Sequence, residues 1–167
     1  MEPLSGVEPI AAAHDTTGFD CGSPELNDYL ERHALANHRG GGARTFVVHR
    51  GGRVAGYYSL AAGAVTYDDA SARVRAGRAR HPIPVVVLAR LAVDRRDQGS
   101  GLGSALLKDA LRRIAAVGQE VGVRAVLVNA KDERARAFYE RFEFEPSPTG
   151  DDTLLLLMKD LRALLGL

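Results

Sequence analysis

The stretch of this chain with the most chemical potential is Leu91-Ala92-Val93-Asp94-Arg95-Arg96-Asp97-Gln98-Gly99-Ser100-Gly101-Leu102-Gly103-Ser104. An apolar run enters a basic, glycine-rich turn, and the turn opens a long amphipathic run. Glycine takes positive φ at little steric cost and carries no Cβ, so successive N–H groups can converge on one point. A helix that begins there adds the positive end of its dipole. The combination predicts a phosphate or pyrophosphate cradle, with Arg95 and Arg96 as counter-charges. A turn that merely joins strand to helix is the plain alternative. A second reactive group is Tyr139, in Ala137-Phe138-Tyr139-Glu140-Arg141-Phe142. Its phenol holds a proton at neutral pH and can donate it without first acquiring one. A helical tyrosine also serves as simple core or rim. Arg90 is the third: a cation inside an apolar strand needs either an internal carboxylate or a functional role.

Three phosphate motifs compete for the glycine turn. The P-loop ends in Gly-Lys-Ser/Thr, and the sequence contains no such tripeptide. The dinucleotide fingerprint would place glycine at Ser104 and an acid about twenty residues on, where the chain has Val121-Gly122-Val123. The spacing that fits is Gln98-x-x-Gly101-x-Gly103. It resembles the Q/R-x-x-G-x-G/A motif with which GNAT acetyltransferases hold the pyrophosphate of acetyl-coenzyme A. Ala135-x-x-Phe138-Tyr139-x-x-Phe142-x-Phe144 is similar to the second signature of that family. The resemblance implies a pyrophosphate site built from Arg95, Arg96, Gln98, Gly99, Ser100, Gly101, Leu102, Gly103 and Ser104. It also implies that Leu91, Ala92 and Val93 offer main-chain groups to the pantetheine arm, and that Tyr139 protonates the departing thiolate as general acid. Asn129, at the end of the following strand, either touches that arm or simply caps the strand.

The elements that must position these groups follow from local patterns. Residues 7–10 read as a short strand. Ser23 as N-cap, Pro24 at the first helical position and Glu25 in the first turn predict a helix. It carries Leu26, Tyr29, Leu30, His33 and Ala34 at helical spacing and stops at Gly40-Gly41-Gly42. Strands over 45–50 and 54–61 flank Gly51-Gly52, a hairpin signature. Residues 68–81 suggest a polar loop or short helix, after which Pro82 and Pro84 introduce an apolar strand over 85–93. A helix over 102–117 should bury Leu102, Ala105, Leu106, Ala110, Leu111, Ile114 and Val117. A strand over 124–129, a helix over 132–142, strands near Phe144 and over 153–159, and a terminal helix over 161–165 complete the order. The expectation is one α+β (mixed α/β) domain over 1–167. Its GNAT fold would have a mostly antiparallel sheet, a splay between two central parallel strands, and helices on both faces.

Composition narrows the class. With 167 residues, 46% of them hydrophobic and 26% charged, the chain can bury a real core. No apolar run approaches the roughly 20 residues of a membrane span, and Met1-Glu2-Pro3 lacks the basic, apolar start of a signal peptide. The expectation is a cytoplasmic protein. The lone Cys21 excludes an internal disulfide and a multi-cysteine metal site, and no metal is expected. Asp20 and Gly22 give that thiol no activating base, so a buried structural role is favoured over a nucleophile.

The resemblance extends beyond the two signatures. Phe19-Asp20-Cys21-Gly22, Leu26-Asn27-Asp28-Tyr29-Leu30, Ala34-Leu35-Ala36-Asn37-His38, Gly56-Tyr57-Tyr58-Ser59-Leu60 and Leu106-Leu107-Lys108-Asp109-Ala110 are similar to the TacT-like GNAT toxins of bacterial toxin–antitoxin modules. That likeness implies acetylation of the α-amino group of aminoacyl-tRNA, a homodimer, and a ribbon-helix-helix antitoxin as partner. Asn129 stands where many members have histidine, and Glu143 replaces the glycine of a Phe-Gly-Phe ending.

Charge placement bears on a tRNA substrate. The totals, 22 basic against 21 acidic residues, nearly cancel. Between residues 70 and 93, however, Arg73, Arg75, Arg78, Arg80 and Arg90 stand without an acid, while 132–152 holds seven acids and three arginines. The arginines would face phosphates, or form a solvated loop. An α-amine, with a pKa of roughly 7.7–8.0, needs little base catalysis, which matches the lack of an obvious general base. A GNAT enzyme acting on a small or protein amine, and a non-catalytic coenzyme A-binding module, remain the alternatives.

Overall fold

In the computed structural model, which describes residues 1–148, 150 and 152–167, the first elements are β1 (Glu8–Pro9) and α1 (Pro24–Asp28). Asp151, one of the acids counted above, lies outside the described residues. The Ser23 side chain accepts from the N–H of Leu26, as an N-cap should. The helical path then widens through a π-helical turn, Tyr29–His33, before α2 (Ala34–Arg39). Sequence periodicity gave no sign of this insertion, because a single wide turn leaves the neighbouring apolar spacing almost intact.

The other elements are β2 (Arg44–Arg50), β3 (Arg53–Val65), α3 (Ala72–Arg75), β4 (Ile83–Val93), α4 (Leu102–Glu120), β5 (Ala125–Asn129), α5 (Glu133–Glu140), β6 (Glu145–Pro146), β7 (Thr153–Leu157) and α6 (Met158–Leu164). Seven strands form a mixed sheet in the order β1-β2-β3-β4-β5-β7-β6. The β4–β5 pair is parallel, and its register runs Val85–Leu88 against Ala125–Val128. Residues 89–93 of β4 therefore extend past the parallel ladder, as a splay between these strands requires. Several boundaries and buried positions differ from expectation. Met158 and Lys159 belong to α6 and not to a strand, because β7 ends at Leu157, opposite Ala125. On α4, Ala105 and Val117 are exposed while Leu107 and Ala115 are buried. Ala105 points away from the stripe around Leu106, Ala110 and Ile114, and Val117 sits near the helix end.

Contacts divide the chain into two compact units, Met1–Ala61 with Ala89–Ala110, and Ala62–Leu88 with Leu111–Leu167. The first has a core that includes Ile10, Phe19, Tyr29, Leu30, Val47 and Tyr57. Within it Gly56 lets α4 approach the sheet: a Cβ there would meet Leu106 Cδ1 at 2.8 Å and Ala92 O at 3.3 Å. The second is centred on Val65, Val74, Ile83, Val85, Leu155 and Leu157.

In the second unit α5 ends in a tightly specified cap. The N–H of Glu143 bonds to Glu140 O at 3.0 Å and that of Phe144 to Tyr139 O at 3.4 Å, the paired bonds of a Schellman motif. Glu143 sits at its left-handed position with φ 69°, the only non-glycine with positive φ among the described residues. This is the position at which the family resemblance led us to expect glycine. A side chain with a Cβ is disfavoured there by about 1 kcal/mol. Glu143→Gly should therefore stabilise the protein by about 1 kcal/mol in urea unfolding with an unchanged m-value. Glu143→Val, β-branched, should destabilise it.

Candidate active site

Gly99 and Gly101 take φ of 81° and 85°, conformations that favour glycine, and no atom crowds the space where a Cβ would stand. Backbone direction, not packing, requires glycine there. The consequence is a row of main-chain donors. Among the described residues, the N–H groups of 99–104 bond to no protein acceptor, and the first helical bond into this segment is Ala105 N–H to Gly101 O at 3.1 Å. Six donors, the last at the N-terminus of a 19-residue helix, suit a pyrophosphate group.

The side chains of the motif mostly hold this loop in place. Gln98 Nε2 donates to Val93 O at 2.9 Å and to Cys21 O at 3.1 Å. Ser100 Oγ donates to Asp97 O at 2.6 Å. Arg96, expected as a counter-charge, gives its guanidinium to Asp94 (Nε to Oδ1, 3.0 Å). Arg95 lies 3.5 Å from Asp20 in an exposed pair, whose charge remains free to respond to an anion. Burial alone would raise the Asp94 carboxyl, but bonds from the Arg96 side chain and from the N–H groups of Arg96 and Asp20 outweigh it and hold it below the ordinary range. Arg50 Nε and Nη2 reach Asp97 Oδ1 at 3.0 and 2.9 Å, and the Asp97 side chain is 5% exposed. Asp94, Asp97 and Arg50 escaped sequence reasoning. The signal for Asp94 is an acid two residues before an arginine at a turn, the pattern of an Asx-type cap. Cys21 is half-buried, its thiol 3.7 Å from Ser23 O, and not fully buried as expected.

In the second unit Tyr139 is buried on α5, packed between Phe138 (centroids 5.2 Å apart) and Phe144 (5.4 Å). Its hydroxyl bonds to no described residue. Burial pushes the phenol well above its ordinary value, so it keeps its proton at every physiological pH. Asn129, exposed at the end of β5, accepts from Thr153 Oγ1 at 2.9 Å through Oδ1. That is the strand-end arrangement, and among the described residues the Asn129 amide N–H groups have no acceptor.

The five arginines separate by partner. Arg73 is bidentate to Asp160 (2.6 and 3.0 Å) and 3.8 Å from Glu145, and Arg80 meets Asp68 at 3.0 Å. Arg75 and Arg80 lie over the Tyr67 ring. Arg78 and Arg90 have no carboxylate within 4.0 Å among the described residues. Arg90 instead stacks on Tyr29, its guanidinium carbon 3.4 Å from the ring centroid, so the internal carboxylate considered for it is not its partner.

Glu8, His14 and His49 converge closely enough to suggest three metal ligands. Both histidines, however, accept backbone N–H bonds at Nδ1, from Ala11 (2.9 Å) and Gly52 (3.0 Å). Their protons therefore sit on Nε2 and point at Glu8 Oε1. Those bonds hold the Glu8 carboxyl below its usual range. The cluster is a carboxylate bridged by two donors, which fastens β1 to β2.

Comparison with known proteins identifies the family. The family model described as an acetyltransferase (GNAT) domain matches residues 41–146. The chain is 52% identical to a tRNA-acetylating toxin of Mycobacterium tuberculosis over 166 residues, covering 99% of each. Among solved structures it resembles AtaT complexed with acetyl-methionyl-tRNAfMet, with a TM-score of 0.89, 29% identity, and coverage of 98% of this chain and 99% of that one. It also resembles a tyrosine-to-phenylalanine variant of AtaT bound to the C-terminus of the antitoxin AtaR and acetyl-CoA. There the TM-score is 0.84, the identity 30%, and the coverage 99% and 100%.

The Arg50–Asp97 pair yields a test of how the loop is held. Arg50→Met should strand a buried carboxylate and cost about 3 kcal/mol in urea unfolding, and Asp97→Asn in that background should recover part of it.

Proposed function

The chain belongs to the GNAT acetyltransferase family, and on that premise we propose that it transfers the acetyl group of acetyl-CoA to the α-amino group of aminoacyl-tRNA and so acts as a translation-blocking toxin. The observation that carries the substrate is the 52% identity, over 99% of both chains, with a tRNA-acetylating toxin. We take residues 1–167 as one GNAT domain working in the cytoplasm, as a homodimer whose partner is a ribbon-helix-helix antitoxin. The relative bound to the C-terminus of an antitoxin supports an antitoxin as partner.

Bound acetyl-CoA supplies an acyl carbon activated as a thioester. Residues 99–104 hold its pyrophosphate through their unpaired N–H groups, with Arg95 as the nearby cation. Gln98, Arg96 and Ser100 act by fixing the loop. Leu91, Ala92 and Val93 present main chain to the pantetheine arm, and a free N–H there polarises the thioester carbonyl. The Val93 carbonyl already accepts from Gln98 Nε2 at 2.9 Å, which ties this main chain to the anion loop. Asn129 offers the pantetheine its amide N–H groups, which have no acceptor among the described residues.

As the amine nitrogen bonds to the acyl carbon, the carbon–sulfur bond breaks and the nitrogen gives a proton to water. Tyr139 Oη supplies the proton that the departing sulfur takes, and solvent restores it. A phenol held protonated by burial suits that step. For tRNA, Arg75, Arg78 and Arg90 have charge free for phosphates, while Arg73 and Arg80 would exchange exposed carboxylates for them.

Tyr139→Phe should lower kcat by about 10²–10⁴-fold with acetyl-CoA binding retained, measured by the ligand-induced rise in Tm. For the wild type, kcat/KM should climb with pH through the α-amine range of roughly 7.7–8.0 and then stay level to about pH 10, because the phenol remains protonated throughout. A falling limb near pH 9 would assign the proton to another group. Robust acetylation of polyamines or lysine peptides, with none of charged tRNA, would overturn the substrate.

A further inference from the structure

A cavity of about 380 Å³ in the first unit is lined by α1, the π-helical turn and the last part of β4, including Glu25, Asp28, Tyr29, His33, Ala89 and Arg90. Its acids and bases are unevenly used. Asp28 is met by Arg32 at 2.9 Å and by His33 at 3.6 Å. Arg90 is not met by any of them: neither Glu25 nor Asp28 lies within 4.0 Å of its guanidinium, and its N–H groups bond to no described residue. What holds Arg90 is the face of Tyr29 at 3.4 Å, and what holds Tyr29 is a 6% exposed site in the core and a bond from Asn37 Nδ2 to its Oη at 3.1 Å. Tyr29 also opens the π-turn, where its carbonyl accepts from the N–H of Ala34. A wide turn of this kind costs helical regularity and is retained where a side chain must be re-aimed.

A guanidinium fixed by its flat face keeps its edge free, and that edge matches the geometry of a phosphate. We propose that Tyr29 is a positioning residue which, from the π-turn, presents the edge of Arg90 to a phosphodiester at the aminoacyl end of the acceptor nucleic acid. This rests on the tRNA reading above. The ring restricts Arg90 to one plane, so the cation is preorganised for an anion. The apolar Ala89 and Leu26 keep the surroundings poor in competing donors. The free Glu25 carboxylate on the same cavity disfavours any ligand that brings only negative charge, which suits a substrate carrying an amine beside its phosphate.

The test compares two acceptors, total tRNA charged with amino acids and the matching amino-acid amides, which have the α-amine but no phosphate. Tyr29→Leu and Arg90→Gln should each raise KM for charged tRNA by about tenfold while kcat changes less than about twofold. The ratio of kcat/KM for tRNA to that for the amides should fall by a similar factor. Tyr29→Phe, which keeps the ring, should stay within about threefold of wild type, and Arg90→Lys should be intermediate. The slope of log kcat/KM against log salt should become shallower by about 0.7–0.9 in Arg90→Gln. Should Tyr29→Leu fail to fold, the Arg90 variants and the salt slope still decide. Equal losses on both acceptors, an unchanged salt slope, or a normal KM in a folded Tyr29→Leu would overturn the proposal. A wild type that acetylates the amides but no charged tRNA would instead overturn the tRNA reading, and this proposal with it.

Discussion

A row of backbone N–H groups left without protein partners is the constraint around which the first unit is built. Such donors cannot be buried and cannot be left to collapse onto nearby carbonyls. Residues 99–104 escape both outcomes because their surroundings are pinned from outside. Gln98 closes the loop onto Val93 and Cys21, Asp94 binds Arg96 and the N–H of Asp20, and Arg50 seizes Asp97. Behind the loop, Gly56 brings α4 close to the sheet and so fixes the helix whose first turn carries the last donors. Much of the polarity in this region serves geometry and leaves the contacts with an anion to the main chain.

The second unit solves a different problem, that of keeping a proton on a phenol. Phe138 and Phe144 surround the ring of Tyr139 with low-dielectric material, and charging the oxygen there is disfavoured. The same two aromatic contacts are local in sequence. Phe144 arrives because the chain reverses through the left-handed residue Glu143, so the helix cap and the environment of the tyrosine are one structure. A strained residue at the cap is compatible with an intact site because the two cap hydrogen bonds and the ring contact over-determine the turn.

Sequence patterns revealed the strand-loop-helix around the glycines, the Ser23 cap, the Gly51-Gly52 hairpin and the tyrosine helix, because each depends on neighbours within a few residues. What they did not reveal was partnership across distance. Arg96 and Arg95 looked alike beside the glycines, yet Arg96 closes on the buried Asp94 at 3.0 Å while Arg95 meets only the exposed Asp20 at 3.5 Å. The five arginines before residue 93 looked like a stripe until Asp160 and Asp68 claimed two of them, one from 87 residues along the chain. Arg90 was recognised as needing an explanation. Its partner turned out to be a ring from the first helical segment, rotated into place by a π-turn that apolar spacing cannot signal. Glu143 showed the opposite case, where a substitution visible in sequence marked a backbone angle that only the structure supplies.

The Arg50 side chain that grips Asp97 also donates from Nη1 to the carbonyl of Glu2, at 2.8 Å. The first residues of the chain and the anion loop thus share one guanidinium. A bulky fusion placed directly ahead of Glu2 would pull on the same side chain that steadies the loop. For purification handles, biosensors or immobilised assays, the amino end is therefore a point of attachment mechanically coupled to the anion loop.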